Sequence, residues 1–71
     1  MKVIYNETSS VYIIYGTYES LSRLGGTLER MNLKPDWFDS ETMTVNTESD
    51  LKPFLSAYCG LLNINLEFYY A

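Results

Sequence analysis

A chain of 71 residues, 46% hydrophobic and 20% charged, has the length of one domain and is too apolar to be disordered. Its net charge is −4, and the five basic side chains (Lys2, Arg23, Arg30, Lys34, Lys52) are scattered, which argues against direct nucleic-acid binding, where several cations must neutralise phosphates on one face. The absence of histidine excludes Ser-His-Asp and Cys-His centres and histidine-ligated metals, and the single Cys59 can form neither an internal disulfide nor a zinc or iron–sulfur site in a monomer.

Residues 2–6 and 11–15 read as a β-hairpin turning through Glu7-Thr8-Ser9-Ser10. With Thr8-Ser9 at the tip, Tyr5 faces Tyr12 and Val3 faces Ile14 on one side, while Ile4 faces Ile13 and Asn6 faces Val11 on the other. The run Val11-Tyr12-Ile13-Ile14-Tyr15 is apolar on both faces, which predicts a central strand. A slip of one residue would exchange the faces, and both would still be apolar.

Gly16-Thr17 opens a helix, with Thr17 as its cap and Glu19 near the positive end of its dipole. Leu21, Leu24, Leu28 and Met31 form its apolar stripe, and Glu19–Arg23 is a favourable pair one turn apart. Gly25-Gly26 inside this helix costs roughly 1 kcal/mol per glycine relative to alanine. Close packing of the helix on a sheet, or a simple weak spot, accounts for the glycines. A phosphate-binding loop does not, because it would lie between strand and helix and be followed by Gly-Lys-Ser/Thr. Pro35 ends the segment by disfavouring helical geometry at Lys34.

Residues 36–39 and 42–46 read as a second hairpin, turning through Asp39-Ser40-Glu41-Thr42. Met43 and Val45 point to one face, Thr42 and Thr44 to the other, which suits a place near the sheet edge. Thr47-Glu48-Ser49-Asp50 is a capping cluster, and Pro53 in the first turn favours Ser49 or Asp50 as the cap of a second helix. That helix runs to about Leu62 with Leu51, Phe54, Leu55, Tyr58 and Leu62 on one stripe, and Asn63 stops it. Cys59 falls among apolar helical neighbours, where it acts as a small hydrophobe. Finally, Ile64, Leu66, Phe68 and Tyr70 alternate with Asn63, Asn65, Glu67 and Tyr69, predicting a strand in the same sheet with its apolar set toward the helices.

The expected order is β-β-α-β-β-α-β in a single α+β domain over residues 1–71. Its sheet would hold four or five strands, mixed or antiparallel, with both helices packed on one face. No secretory h-region and no run near the ~18 apolar residues of a membrane span occurs, so a cytoplasmic protein is expected.

Two features carry the functional expectation. Asp36, Asp39, Glu41, Glu48 and Asp50 lie between Lys34 and Lys52 with no basic residue among them. A calcium loop counted from Asp36 would need glycine where Glu41 stands and glutamate where Thr47 stands, so that reading fails. Two readings remain: turn residues, a cap and a solvated face, or an acidic contact surface for a basic partner, where charge mainly raises on-rate and specificity. The second feature is the surplus of aromatic residues. Two helices cover one sheet face and leave bare either Val3, Tyr5, Tyr12 and Ile14 or Ile4, Val11, Ile13 and Tyr15, with Tyr69 on whichever face is open. Either loops or the 36–46 hairpin fold over that face, or it is a protein–protein surface, since contiguous tyrosine-rich apolar patches usually mark interaction sites. The expected partner-binding residues are Tyr5, Tyr12, Ile14 and Tyr69 with Asp36, Asp39 and Glu41; no catalytic residue, metal or cofactor is expected.

These residues name no family. In size, acidity and lack of catalytic side chains the chain resembles small phage or mobile-element proteins that bind and block a host factor. That likeness implies a non-enzymatic protein that sequesters or inhibits a protein partner, as anti-defence inhibitors, antitoxins and immunity proteins do. The alternative is a homodimeric regulatory or ligand-binding domain with a pocket at the subunit junction, lined by Trp37 or Phe38.

Overall fold

The computed structural model describes residues 1–71. The element order is β1 (Lys2–Asn6), β2 (Val11–Tyr15), α1 (Tyr18–Arg30), β3 (Asp36–Asp39), β4 (Thr42–Asn46), α2 (Lys52–Leu61) and β5 (Glu67–Tyr70). One mixed five-stranded sheet has the order β3-β4-β2-β1-β5, so the wholly apolar β2 lies at its centre. β1 and β2 pair antiparallel in the expected register, Tyr5 with Tyr12 and Val3 with Ile14. The Asn6 side-chain oxygen accepts from the backbone N–H groups of Thr8 (3.0 Å) and Ser9 (3.1 Å), which fixes the hairpin tip and through it the register. β4 pairs antiparallel with β2 and β3, and β5 pairs parallel with β1.

The pairing of β2 with β4 decides which face the helices cover. Met43 lies beside Ile14 and Val45 beside Tyr12, so the one apolar face of β4 joins that face of the hairpin. Leu21, Leu24 and Leu28 of α1, with Leu51 and Leu55 at and in α2, close over Val3, Tyr12, Ile14, Met43 and Val45 in one core. At Gly25 α1 packs closely on β4: a Cβ there would stand 3.1 Å from Met43 Cε. Gly26 has no such neighbour, since its Cβ would meet only the Arg30 guanidinium at 3.8 Å. Close packing thus explains the first glycine and leaves the second as a helix-weakening residue.

Both helices end on an asparagine in the left-handed region. At Asn32 (φ 64°) the Leu33 N–H donates to the Leu28 carbonyl and the Asn32 N–H to that of Glu29. At Asn63 (φ 55°) Ile64 and Asn63 donate in the same way to Cys59 and Gly60. Each pair is a Schellman cap, with asparagine in the place usually taken by glycine. α1 therefore ends before Met31, which caps it and is left exposed rather than completing the stripe.

Two further sequence expectations shift in detail. Thr17 caps α1, its side chain accepting from Ser20 N–H, but the cap of α2 is Leu51 and not Ser49 or Asp50. The Leu51 N–H is satisfied from a distance, by the Tyr12 hydroxyl at 3.0 Å, while Asp50 accepts from Lys52 N–H. The last strand begins at Glu67 rather than Ile64, because the backbone of Ile64 is still engaged in closing α2. Pairing with the hairpin begins where Glu67 N–H donates to the Met1 carbonyl. No helix is long and apolar enough to cross a membrane.

Candidate functional site

Side chains alternate across a strand, so covering one face of this sheet leaves a defined set on the other. Register places them in rows. Asp36, Thr44, Ile13, Ile4 and Tyr69 run across the middle. Thr42, Tyr15, Lys2 and Glu67 lie along one end, and Asn46, Val11 and Asn6 along the other. Ile4, Val11, Ile13, Tyr15 and Tyr69 neither belong to the core nor pack against it. Tyr15 is 37% exposed and Tyr69 48%. The result is an apolar centre with a polar rim, the anatomy of a protein contact surface.

Lys2 ties the aromatic part together. Its ammonium lies 5.9 Å from the Tyr15 ring centroid and 5.7 Å from that of Tyr69, within cation–π range of both. The Tyr69 hydroxyl donates to the Glu67 carboxylate at 3.0 Å. That hydrogen bond, helped by the carboxylate's charge, raises the phenol pKa above its usual value, so Tyr69 stays neutral.

Tyr5, Tyr12 and Ile14, expected in the partner-binding patch, lie instead on the helix-covered face. Ile14 is fully buried, Tyr12 is 2% exposed, and Tyr5 is half-buried against Tyr12 with ring centroids 4.3 Å apart. Of the four apolar residues expected there, Tyr69 alone is on the open face; Ile4, Val11, Ile13 and Tyr15 take the place of the others. The hairpin alone does not separate the two sets, since both faces are apolar. The separating signal was in β4: once β4 is placed beside β2, Met43 and Val45 demand cover while Thr42 and Thr44 do not.

Asp36 stands at the end of the middle row, on the open face. Asp39 and Glu41 flank the β3–β4 turn, where the Asp39 carboxylate accepts from Glu41 N–H at 2.8 Å. Both line a shallow groove with Lys2, Tyr15, Thr42 and Glu67, continuous with the open face. The acidic turn residues and the new apolar set therefore share one contiguous surface. Trp37 and Phe38 lie apart from it in role: Trp37 stacks on Tyr18 of α1 at 5.3 Å, and Phe38 is 79% exposed on the edge strand.

The groups available for covalent chemistry are few. Cys59 is buried, and burial pushes its thiol pKa up, which lowers its thiolate fraction at neutral pH. Nowhere do three acidic or thiol side chains converge in a way that would hold a metal ion. The arrangement defines an α+β domain with one face of its sheet buried by helices and the other presented outward. The chain matches no protein-family model, no curated protein and no solved structure.

Proposed function

We propose that the chain is a non-enzymatic binding protein that sequesters or inhibits a protein partner by docking it on the open sheet face. The contiguous apolar field of Ile4, Val11, Ile13, Tyr15 and Tyr69 carries this reading. Five strands spaced ~4.8 Å apart and about five residues long give that face roughly 400 Å² of projected area. A stable protein interface takes about 800 Å² from each side, so a partner must extend over the rim. Asp36, Asp39, Glu41 and Glu67 outnumber Lys2 there, which favours a partner with a basic surface and speeds its approach. Phage anti-defence inhibitors, antitoxins and immunity proteins are the natural categories for this reading, with a cytoplasmic location and no cofactor.

A homodimer through the same face is the second reading. Lys2 and Glu67 are register neighbours, so a two-fold axis near them would set each against its opposite in the second copy. Light scattering, followed by pull-down with tagged parent, Ile13→Thr and Tyr69→Ala proteins, decides between the two. The first reading expects a monomer that retains one stoichiometric protein, with each substitution lowering affinity about tenfold while the far-UV spectrum is unchanged. Unchanged affinity for both variants overturns it. A tight dimer with nothing bound, dissociated by the same substitutions, establishes the homodimer.

A further inference from the structure

On the helix side of the sheet, away from the open face, a second surface has its own chemistry. Tyr5, Tyr12, Phe68 and Tyr70 form a notch where the chain enters α2, and Glu48 and Asp50 complete its wall. The rings are mutually packed: Tyr5 meets Tyr70 edge-on at 6.3 Å, Phe68 meets Tyr70 at 5.3 Å, and Tyr12 meets Phe68 at 6.3 Å. The inner wall is fixed, because the Tyr12 hydroxyl donates to the Ser49 carbonyl at 2.8 Å and accepts from Leu51 N–H at 3.0 Å. Its volume of about 220 Å³ falls below the ~300 Å³ where small-molecule pockets begin, so it suits one side-chain head.

Ring faces and carboxylates both attract cations. Neither Glu48 nor Asp50 has a cationic partner, since the chain's one ion pair joins Glu19 and Arg23. An ammonium already sits at the outer rings: Lys52 Nζ lies 5.2 Å from the Phe68 centroid and 5.5 Å from that of Tyr70. Lys52 reaches the aromatic part of the site without pairing with the carboxylates behind it. A planar guanidinium does both at once, stacking on a ring while its N–H fork engages a carboxylate.

We propose that this notch binds the guanidinium of an arginine side chain from a protein partner, and that Lys52 is its intramolecular competitor. The site does not depend on the open sheet face and stands or falls separately from it.

The test is an NMR titration of the intact chain with N-acetyl-arginine amide and with its neutral isostere, N-acetyl-citrulline amide. Ring protons of Phe68 and Tyr70 should shift with the arginine probe, and its affinity should exceed that of citrulline about tenfold. Glu48→Gln with Asp50→Asn should remove most of the difference and leave the part that the rings supply; asparagine keeps the oxygen that accepts from Lys52 N–H, so the turn survives. Lys52→Met keeps the apolar stem, removes the competing charge, and should tighten arginine binding roughly twofold or more. Equal affinity for arginine and citrulline overturns the proposal. Weaker arginine binding by Lys52→Met overturns the role of Lys52 as competitor.

Discussion

Removing one oxygen atom, in Tyr12→Phe, should cost this domain about 2–3 kcal/mol. The ring itself is 2% exposed and keeps its packing on Tyr5 and Phe68 as phenylalanine. What disappears are the two hydrogen bonds that anchor the start of α2 to the central strand, to the Ser49 carbonyl and from the Leu51 N–H. Ser49 is exposed and its carbonyl can turn to water, so that loss is about 1 kcal/mol. Leu51 is 2% exposed, and stranding its N–H adds a desolvation cost of about 1–2 kcal/mol. Set against roughly 4–11 kcal/mol for a 71-residue domain, the change is large, and it lowers Tm by roughly 10–20 °C. Urea unfolding followed by far-UV circular dichroism, with an unchanged m-value, measures it. Tyr58→Phe is the internal control. Its hydroxyl donates one bond, to the Ser20 carbonyl at 3.2 Å, and its removal strands no N–H, so about 0.5–1 kcal/mol is expected. A Tyr12→Phe cost no larger than that of Tyr58→Phe refutes the argument.

The same tyrosine gives the experiment a second axis in pH. Burial raises the Tyr12 phenol above its usual 10.0, despite the opposing hydrogen bond from Leu51. Above pH 10 the unfolded chain releases this proton while the folded chain keeps it, so the unfolded state binds fewer protons and stability falls as pH rises. Burial likewise raises Tyr58 above 10.0 and Cys59 above 9.0, so the parent domain loses stability from about pH 9 upward. Tyr12→Phe should remove its share and shallow the alkaline limb while lowering the whole curve.

Two further predictions use the backbone. Gly26→Ala should stabilise by about 0.5–1 kcal/mol, because it adds helix propensity in open space. Gly25→Ala should be at least about 1 kcal/mol worse than Gly26→Ala, since its Cβ presses on the buried Met43; equal gains would show that α1 does not pack closely on β4. Asn63→Ala should cost about 1–2 kcal/mol by forcing alanine into the left-handed region, whereas Asn63→Gly should be neutral or better. Thermal melts of the four variants check both.

Most of the architecture was legible because local rules agreed with each other. A hairpin with Asn6 before its tip, a leucine stripe behind Thr17, and a proline in the first turn of α2 each point to one structure. What stayed hidden is non-local. The side of the hairpin that is buried depends on β4, some thirty residues away in sequence, lying beside β2 rather than beside β1. The cap of α2 was misplaced for the same reason, since the group that satisfies Leu51 N–H is a tyrosine hydroxyl on another element. Likewise the alternation after Asn63 is a true strand pattern, but the closing hydrogen bonds of α2 consume its first residue. For the site, Asp36, Asp39 and Glu41 are exposed, the last two beside the β3–β4 turn, whereas Tyr12 and Ile14 are buried and Tyr5 half-buried on the helix-covered face.

The composition of the open face supports the docking role proposed for it. β4 shows that this sheet tolerates threonine there, because Thr44 occupies the same row as Ile13 and Ile4. Threonine would retain β-branching and remove the apolar patch, yet the hairpin carries isoleucine, valine and tyrosine. The exposed edge is handled differently: β3 is short, carries Asp36 and Asp39, and is broken by an irregularity between Trp37 and Asp39, all of which discourage strand addition. The polar groups of the open face are also arranged so that burial strands few of them. The Tyr69 hydroxyl is already bonded to Glu67, and the Lys2 ammonium lies by the Tyr15 and Tyr69 rings, so a partner closing over this corner covers a phenol with its bond made and a cation with ring faces beside it.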